Sequence, residues 1–288
     1  MDYWLFGTVQ ARIEQATGLA KAAERLGFAG IALPDHIAIP ERYASHHPSP
    51  DDTPSHRADF PDALITLTAM AAATTSLKLM TYVYVLPMRD PFSVAKQAGT
   101  LAMISDYRLN LGVGAGWLNE EMALLGHDPH TRGRRMDEML QIMRDLWERG
   151  VASGKGEFYK FDTVGQFPVP KRRIPVLIGG KSPVALQRAA RNDGWLGMYY
   201  PMEEIQELLR TLHLERKRYV DAQQIAASAF ETMVIPGALP SADVYRRLED
   251  WGVSGTIAVP WDLADPKYDS LDAKIDAMES FAHSFISR

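Results

Sequence analysis

Short runs of apolar, β-branched or aromatic residues alternate along the chain with longer stretches in which apolar side chains recur every three or four positions. The short runs predict strands at Tyr3–Thr8, Gly30–Leu33, Leu77–Leu86, Tyr107–Val113, Ile174–Ile178, Trp195–Tyr199, Ala227–Ile235 and Gly255–Val259. Most are apolar on both faces, as parallel strands covered on both sides must be. The longer stretches carry helical stripes: Ala16, Leu19, Ala20, Ala23 and Leu26; Met136, Met139, Leu140, Met143, Leu146 and Trp147; Val244, Leu248 and Trp251; Ile275, Met278, Phe281 and Phe285. Asp90-Pro91 and Ser182-Pro183 place a capping oxygen before a proline at the first helical position, and Ser241 can cap a later helix. Eight strand–helix units predict an α/β protein, a (β/α)8 barrel spanning residues 1–288 as a single domain. An open doubly wound sheet is the alternative, because periodicity does not encode strand order. Two insertions break the rhythm, Pro40–Phe60 after the second strand and Gly150–Arg173 after the fourth. In a compact barrel such irregular segments serve as lids or substrate loops.

Composition narrows the chemistry. The chain has 288 residues, 46% apolar and 23% charged, with a formal charge of -5. That balance argues against nucleic acid as a partner. The absence of cysteine excludes disulfides, thiolate catalysis and cysteine-ligated metals. No basic segment precedes an apolar run at Met1-Asp2-Tyr3, and the longest apolar run, around Leu79–Met88, is too short to cross a bilayer. The expected location is the cytoplasm, with no membrane partner.

In a barrel the chemistry sits where strands end. The fifth strand ends in Gly179-Gly180-Lys181-Ser182-Pro183. Two glycines admit a ligand close to the backbone, Ser182 caps a helix whose first amides point back at the loop, and Lys181 adds a charge. This suits a phosphate, and equally a plain tight turn. Gly112-x-Gly-x-Gly116 lacks the partner acid of a dinucleotide fingerprint and also suits close packing at the barrel rim. Asp35-His36 at the second strand end offers a proton donor or acceptor near neutral pH, with Asp35 orienting it or touching a ligand; the pair also suits an ordinary loop contact. His46, His47 and His56 with Asp51 and Asp52 read as a polar loop rather than a metal site, and no metal is expected. Arg132-Gly133-Arg134-Arg135 opens a helix against its dipole, so it suits a local anion, or pairing with Asp137 and Glu138.

Leu33-Pro34-Asp35-His36, Leu86-Pro87-x-Arg89-x-Pro91 with Ala95-Lys96-Gln97, Gly112-Val113-Gly114-Ala115-Gly116-Trp117, and Ile178-Gly179-Gly180-x-Ser182 with Arg188-Ala189-Ala190-Arg191 and Asp193-Gly194-Trp195 follow one another in this order. In this the chain resembles the luciferase-like monooxygenase family, and more narrowly its deazaflavin-dependent oxidoreductase branch. The resemblance is strong from Tyr3 to Trp195 and loose beyond. It implies a TIM barrel with a flavin-type ring at its C-terminal face. By position, Gly179, Gly180, Lys181 and Ser182 would hold the cofactor phosphate. Asp35, the bulge Thr81, Tyr82, Val83 and Tyr84, and Gly114, Ala115 and Gly116 would line the ring and ribityl chain. A non-prolyl cis peptide is expected near Tyr82-Val83.

Two departures stand out. Ser105-Asp106-Tyr107-Arg108 replaces the Ser-Gly-Gly-Arg of relatives. Trp117 occupies the place of the acid found in sugar-phosphate dehydrogenases of the branch, which points away from glucose-6-phosphate and makes Trp117 a contact for an apolar or aromatic substrate. The expected activity is hydride transfer between coenzyme F-420 and an organic substrate, with His36 exchanging the proton. The alternatives are an FMN-dependent two-component monooxygenase with Pro40–Phe60 as its lid, and a non-catalytic protein that binds a flavin-type cofactor. The expected partners are a small-molecule substrate, a flavin or deazaflavin reductase, and a second copy of the chain in a homodimer.

Overall fold

Each predicted apolar run becomes a strand buried on both faces, and the strands pair in parallel in chain order. In the computed structural model, which describes residues 1–7, 12–48, 53–225 and 229–286, these are β1 (Asp2–Phe6), β2 (Gly30–Leu33), β3 (Lys78–Thr81), β5 (Leu109–Gly114), β8 (Val176–Gly179), β9 (Gly194–Tyr200), β10 (Glu231–Pro236) and β11 (Gly255–Ala258). β2 lies between β1 and β3, β3 pairs with β5, and β11 returns to β1, closing an eight-stranded parallel barrel. The open-sheet alternative is thereby excluded. Thr8 and Ala227, the outer ends of two predicted strands, lie outside the described residues.

The predicted third strand is broken. After Thr81 the Tyr82-Val83 peptide is cis, as expected. The chain then resumes as β4 (Tyr84–Val85), which pairs only with β5. The barrel interior is filled by Trp4, Met80, Tyr82, Leu177, Leu196, Met233 and Ile257. Small residues make room for the large ones: a Cβ on Gly30 would collide with the Trp4 indole, and one on Gly112 with the Thr81 carbonyl.

The helices α1 (Ala16–Arg25), α2 (Ala63–Ala73), α3 (Pro91–Ile104), α5 (Arg132–Arg149), α6 (Pro183–Ala190), α7 (Met202–Asp221), α8 (Ala242–Asp250) and α9 (Leu271–Phe285) cover the outside, and a short α4 (Asn119–Leu124) sits after β5. The stripe Met136 to Trp147 is buried along α5. The predicted caps form: Asp90, Ser182 and Ser241 each accept from the amide three residues on.

One expectation needs correction. The Gly150–Arg173 insertion is not irregular. It contains an antiparallel hairpin of β6 (Val151–Lys155) and β7 (Lys160–Gly165), whose turn is tied down by the Glu138 carboxylate accepting from the amides of Glu157, Phe158 and Tyr159. The Asp106-Tyr107 turn keeps left-handed backbone without glycine, with φ of 51° and 64°. Its neighbours hold it there. Arg172 pairs with Asp106 and covers the Tyr107 ring. The Arg108 guanidinium donates to the carbonyls of Ser105, Leu77, Ala71 and Thr74 and to the Thr74 hydroxyl.

A single carboxylate shapes the approach to β3. Glu24, near the end of α1, accepts from the amides of Thr75, Ser76 and Leu77 and from the Ser76 hydroxyl. Burial acts to raise its pKa, but these donors outweigh it and hold the carboxyl at about 2, below the ordinary 4.5. A depressed folded value stabilises the fold above the unfolded value, and that gain is lost as pH falls through the folded one. Because solvent screens this charge, Glu24→Gln should cost only about 1 kcal/mol at neutral pH. In urea melts the two proteins should converge as the pH drops from 4.5 toward 2; a pH-independent gap would show that the charge is not what the amides need.

Candidate active site at the C-terminal end of the barrel

The strand ends at one mouth of the barrel enclose a cleft of about 400 Å³. Of the residues singled out from the sequence, Asp35, His36, Tyr82, Val83, Gly114, Ala115, Gly116, Trp117, Gly179, Gly180, Lys181 and Ser182 line it. Thr81 and Tyr84 do not: Tyr84 is buried beneath the Arg89 guanidinium, and Thr81 is fully buried with its hydroxyl donating to the Gly112 carbonyl at 2.7 Å, joining β3 to β5. His46, His47 and Pro48 also line the cleft, so the described part of the first insertion contributes to its wall. Asp51 and Asp52 lie outside the described residues. No residue of the second insertion lines it. Among the described residues no group of three or more His, Asp or Glu is placed to hold a metal, and no helix is long and apolar enough to cross a membrane.

The wall on the β3 side is set by Val83. A Cβ on Gly114 or on Gly179 would sit 2.7 Å from a Val83 methyl, so both glycines are required for the three strand ends to meet. Asp35 holds this corner. Its carboxylate accepts from both terminal nitrogens of Arg89 at 2.8 Å and from the Val85 amide at 2.9 Å. Burial pushes its pKa up from the ordinary range, against the pull of Arg89. Both oxygens are thus engaged within the protein, and Asp35 does not orient His36.

That task falls to Glu121, which the sequence reading missed. Its carboxylate, 1% exposed, lies 2.7 Å from His36 Nδ1 and accepts from the amides of Ile37 and Ala38 at 2.6 and 2.9 Å. Burial acts to raise its pKa, but the bonds from His36, Ala38 and Ile37 prevail and hold it below the ordinary carboxylate range. The His36 ring meets Phe60 and Trp117 edge-on, at 4.8 and 5.8 Å between centroids. Trp117 is further flanked by Tyr43 and His47. The cleft is therefore aromatic beside the carboxylate-held imidazole of His36.

Beyond Gly179, which abuts Val83, the cleft wall continues into the turn before α6. Gly180 has φ of 119°, and the Trp195 indole donates to its carbonyl at 2.8 Å, fixing the turn. Ser182 caps α6 through the Ala185 amide; Pro183 has no amide hydrogen, which leaves the Val184 amide as the one in this first turn without an intrahelical acceptor. Lys181 lies over the Tyr200 ring at 4.8 Å and pairs with Glu204 at 2.7 Å. Tyr200, also missed, lines the cleft, and among the described residues its buried hydroxyl donates to no acceptor. Burial pushes its pKa up to about 12, so it remains a donor at neutral pH. The Gly180 turn and the α6 start beside Lys181 fit a phosphate-bearing group.

The arginine cluster divides. Arg132 lines the cleft and donates to Asn119 and to the Pro129 carbonyl. Arg134 pairs with Glu157, and Arg135 is buried against the Pro87 and Asp128 carbonyls. Neither pairs with Asp137 or Glu138: Asp137 instead binds Arg188, locking α6 to α5.

The model of the luciferase-like monooxygenase family matches residues 4–242, so the chain belongs to that family. It is 35% identical over 276 residues to an uncharacterised protein of Mycobacterium tuberculosis, covering 94% of each chain. It is 28% identical over 211 residues to an FMNH(2)-dependent dimethylsulfone monooxygenase of Pseudomonas fluorescens, covering 67% of this chain and 53% of that one. In fold it matches the coenzyme F-420-dependent tetrahydromethanopterin reductase of Methanopyrus kandleri, with a TM-score of 0.75 and 14% identity over 99% of this chain and 98% of that one.

Two variants test this side of the cleft as a phosphate site by fluorescence titration with FMN and with F-420. Tyr200→Phe removes an unspent buried hydroxyl, so the free protein should melt no lower than wild type while affinity falls about 3- to 10-fold. Gly180→Asp should reduce affinity at least as much. Unchanged affinity in a folded Tyr200→Phe protein would remove the hydroxyl from the ligand site.

Proposed function

We propose that this member of the luciferase-like monooxygenase family is an oxidoreductase that transfers a hydride between the deazaflavin coenzyme F-420 and a small organic substrate, with His36 exchanging the accompanying proton. The observation that carries this reading is one cleft lined both by the Gly179–Ser182 turn before α6 and by a carboxylate-held imidazole. The bound ring would supply the hydride chemistry; the protein supplies grip, orientation and a proton. Gly179–Ser182 and Tyr200 would hold the phosphate. Val83, Gly114, Ala115 and Gly116 would lie along the ring and its ribityl chain. Trp117, clamped by three rings, would present an apolar wall to an apolar or aromatic substrate.

The choice of F-420 over FMN rests on charge. Its lactyl-glutamate tail makes F-420 longer and more anionic than FMN, and the cations lining the cleft, Lys181 and Arg132, belong to a chain of formal charge -5. A second reading is supported by the His46–Pro48 segment in the cleft wall and by the FMNH(2)-dependent relative. It is an FMN-dependent two-component monooxygenase, with a reductase partner and a closing lid that excludes water.

Titration of the purified protein with both cofactors at low and high salt separates the two. F-420 should bind more tightly, and its affinity should fall more steeply with salt, because screening acts over about 8–10 Å. Tight FMN binding without F-420 binding would install the monooxygenase reading. His36→Asn should leave cofactor affinity within a few-fold and lower turnover by about 10²–10⁴. Equal loss of both would make His36 a cofactor contact, and tight binding without turnover on any substrate would leave a non-catalytic cofactor-binding protein.

A further inference from the structure

We infer that Glu121 is a positioning residue: its carboxylate sets which nitrogen of His36 carries the proton, and the same carboxylate anchors the segment that walls the cleft. The inference rests on the reading of His36 as the proton-exchanging group, and it assigns the proton to a specific atom.

An ionised carboxylate only accepts hydrogen bonds. Glu121 Oε1 receives the amides of Ile37 and Ala38, which can only donate. Oε2 faces His36 Nδ1 at 2.7 Å. With the carboxyl held below its ordinary range by these bonds, Nδ1 must carry the hydrogen. The opposite tautomer would press two acceptors together in a site where Glu121 is 1% exposed. In the neutral ring Nε2 is then the bare nitrogen, the one left to take a proton from a ligand. Phe60 and Trp117 pack edge-on against the ring and oppose its rotation.

The neighbouring carboxylate repeats the grip further along. Glu120 Oε1 accepts from the amides of Ala44 and Ser45 at 2.7 and 3.2 Å, and Oε2 from the Ser45 hydroxyl at 2.7 Å. The Asn119 amide donates back to Ser45 Oγ at 3.1 Å. Residues 37–45 therefore hang from two consecutive carboxylates on α4, and His46, His47 and Pro48 follow directly into the cleft wall. The Ile37–Ala38 anchor and the His36 tautomer share one carboxylate, so the cleft wall and the proton site are set together.

Glu121→Gln tests this with nearly unchanged shape. Its carbonyl can still serve Ile37 and Ala38, but its NH₂ then faces Nδ1 and demands an acceptor there, inverting the ring to the Nε2–H form. Long-range ¹H–¹⁵N NMR on histidine-labelled protein reads the tautomer directly, with His36→Asn identifying the signal. Wild type and Glu120→Gln should show the Nδ1–H pattern, and Glu121→Gln the Nε2–H pattern. Cofactor affinity should be unchanged in Glu121→Gln and kcat about 10- to 10³-fold lower. An Nε2–H pattern in wild type overturns the inference whether or not any variant folds, as does an Nδ1–H pattern retained in Glu121→Gln. Wild-type turnover in His36→Asn would instead end the proton role of His36 and leave the tautomer result standing.

Discussion

The site depends on one buried ion pair. Asp35 at the end of β2 and Arg89 beyond β4 meet in a two-pronged contact at 2.8 Å, with the Val85 amide on the same carboxylate and the Tyr84 ring 3.9 Å beneath the guanidinium. Removing one partner of such a pair leaves an uncompensated buried charge, at a cost of about 3–5 kcal/mol. The pair joins the end of β2 to the strand that resumes after the cis Tyr82-Val83 peptide. Val83 is thereby held against Gly114 and Gly179, and His36, one residue beyond Asp35, is delivered to the cleft. Three strand ends and the imidazole are registered to one another through this contact.

Much of this was legible in the sequence, for physical reasons. Parallel strands are apolar on both faces, so their runs stand out, and a capped proline marks α3 and α6. The glycines at 114, 179 and 180 were legible because close approach and positive φ leave little choice of residue. The family resemblance supplied the location of the cis peptide, which no periodicity encodes.

What escaped the reading depended on long-range pairing. Glu121 sits beside Glu120 at a helix start, where acidic residues ordinarily face solvent and offset the dipole. The available signal was its place in the apolar stripe Leu118, Met122 and Leu125, where a charge must have a buried partner. Tyr200 looked like one more aromatic at a strand end, and only the fold shows its hydroxyl unspent. The arginine run looked like one patch, but a helix turns each residue to a different side, so Arg132 faces the cleft while Arg135 is spent on buried carbonyls. The Asp106-Tyr107 turn is left-handed without glycine, and Arg172, distant in sequence, closes over it.

The central claim is that one cofactor spans the cleft from the α6 start to the Val83 corner and faces the His36 side. Hydrogen–deuterium exchange with and without saturating F-420 tests it most directly, peptide by peptide. The account predicts slower exchange in the segments containing Val83, Gly114–Trp117 and Gly179–Ala185, with the N-terminal ends of the same strands unchanged. Protection centred at those N-terminal ends, or none in Gly179–Ala185 at saturation, would contradict it.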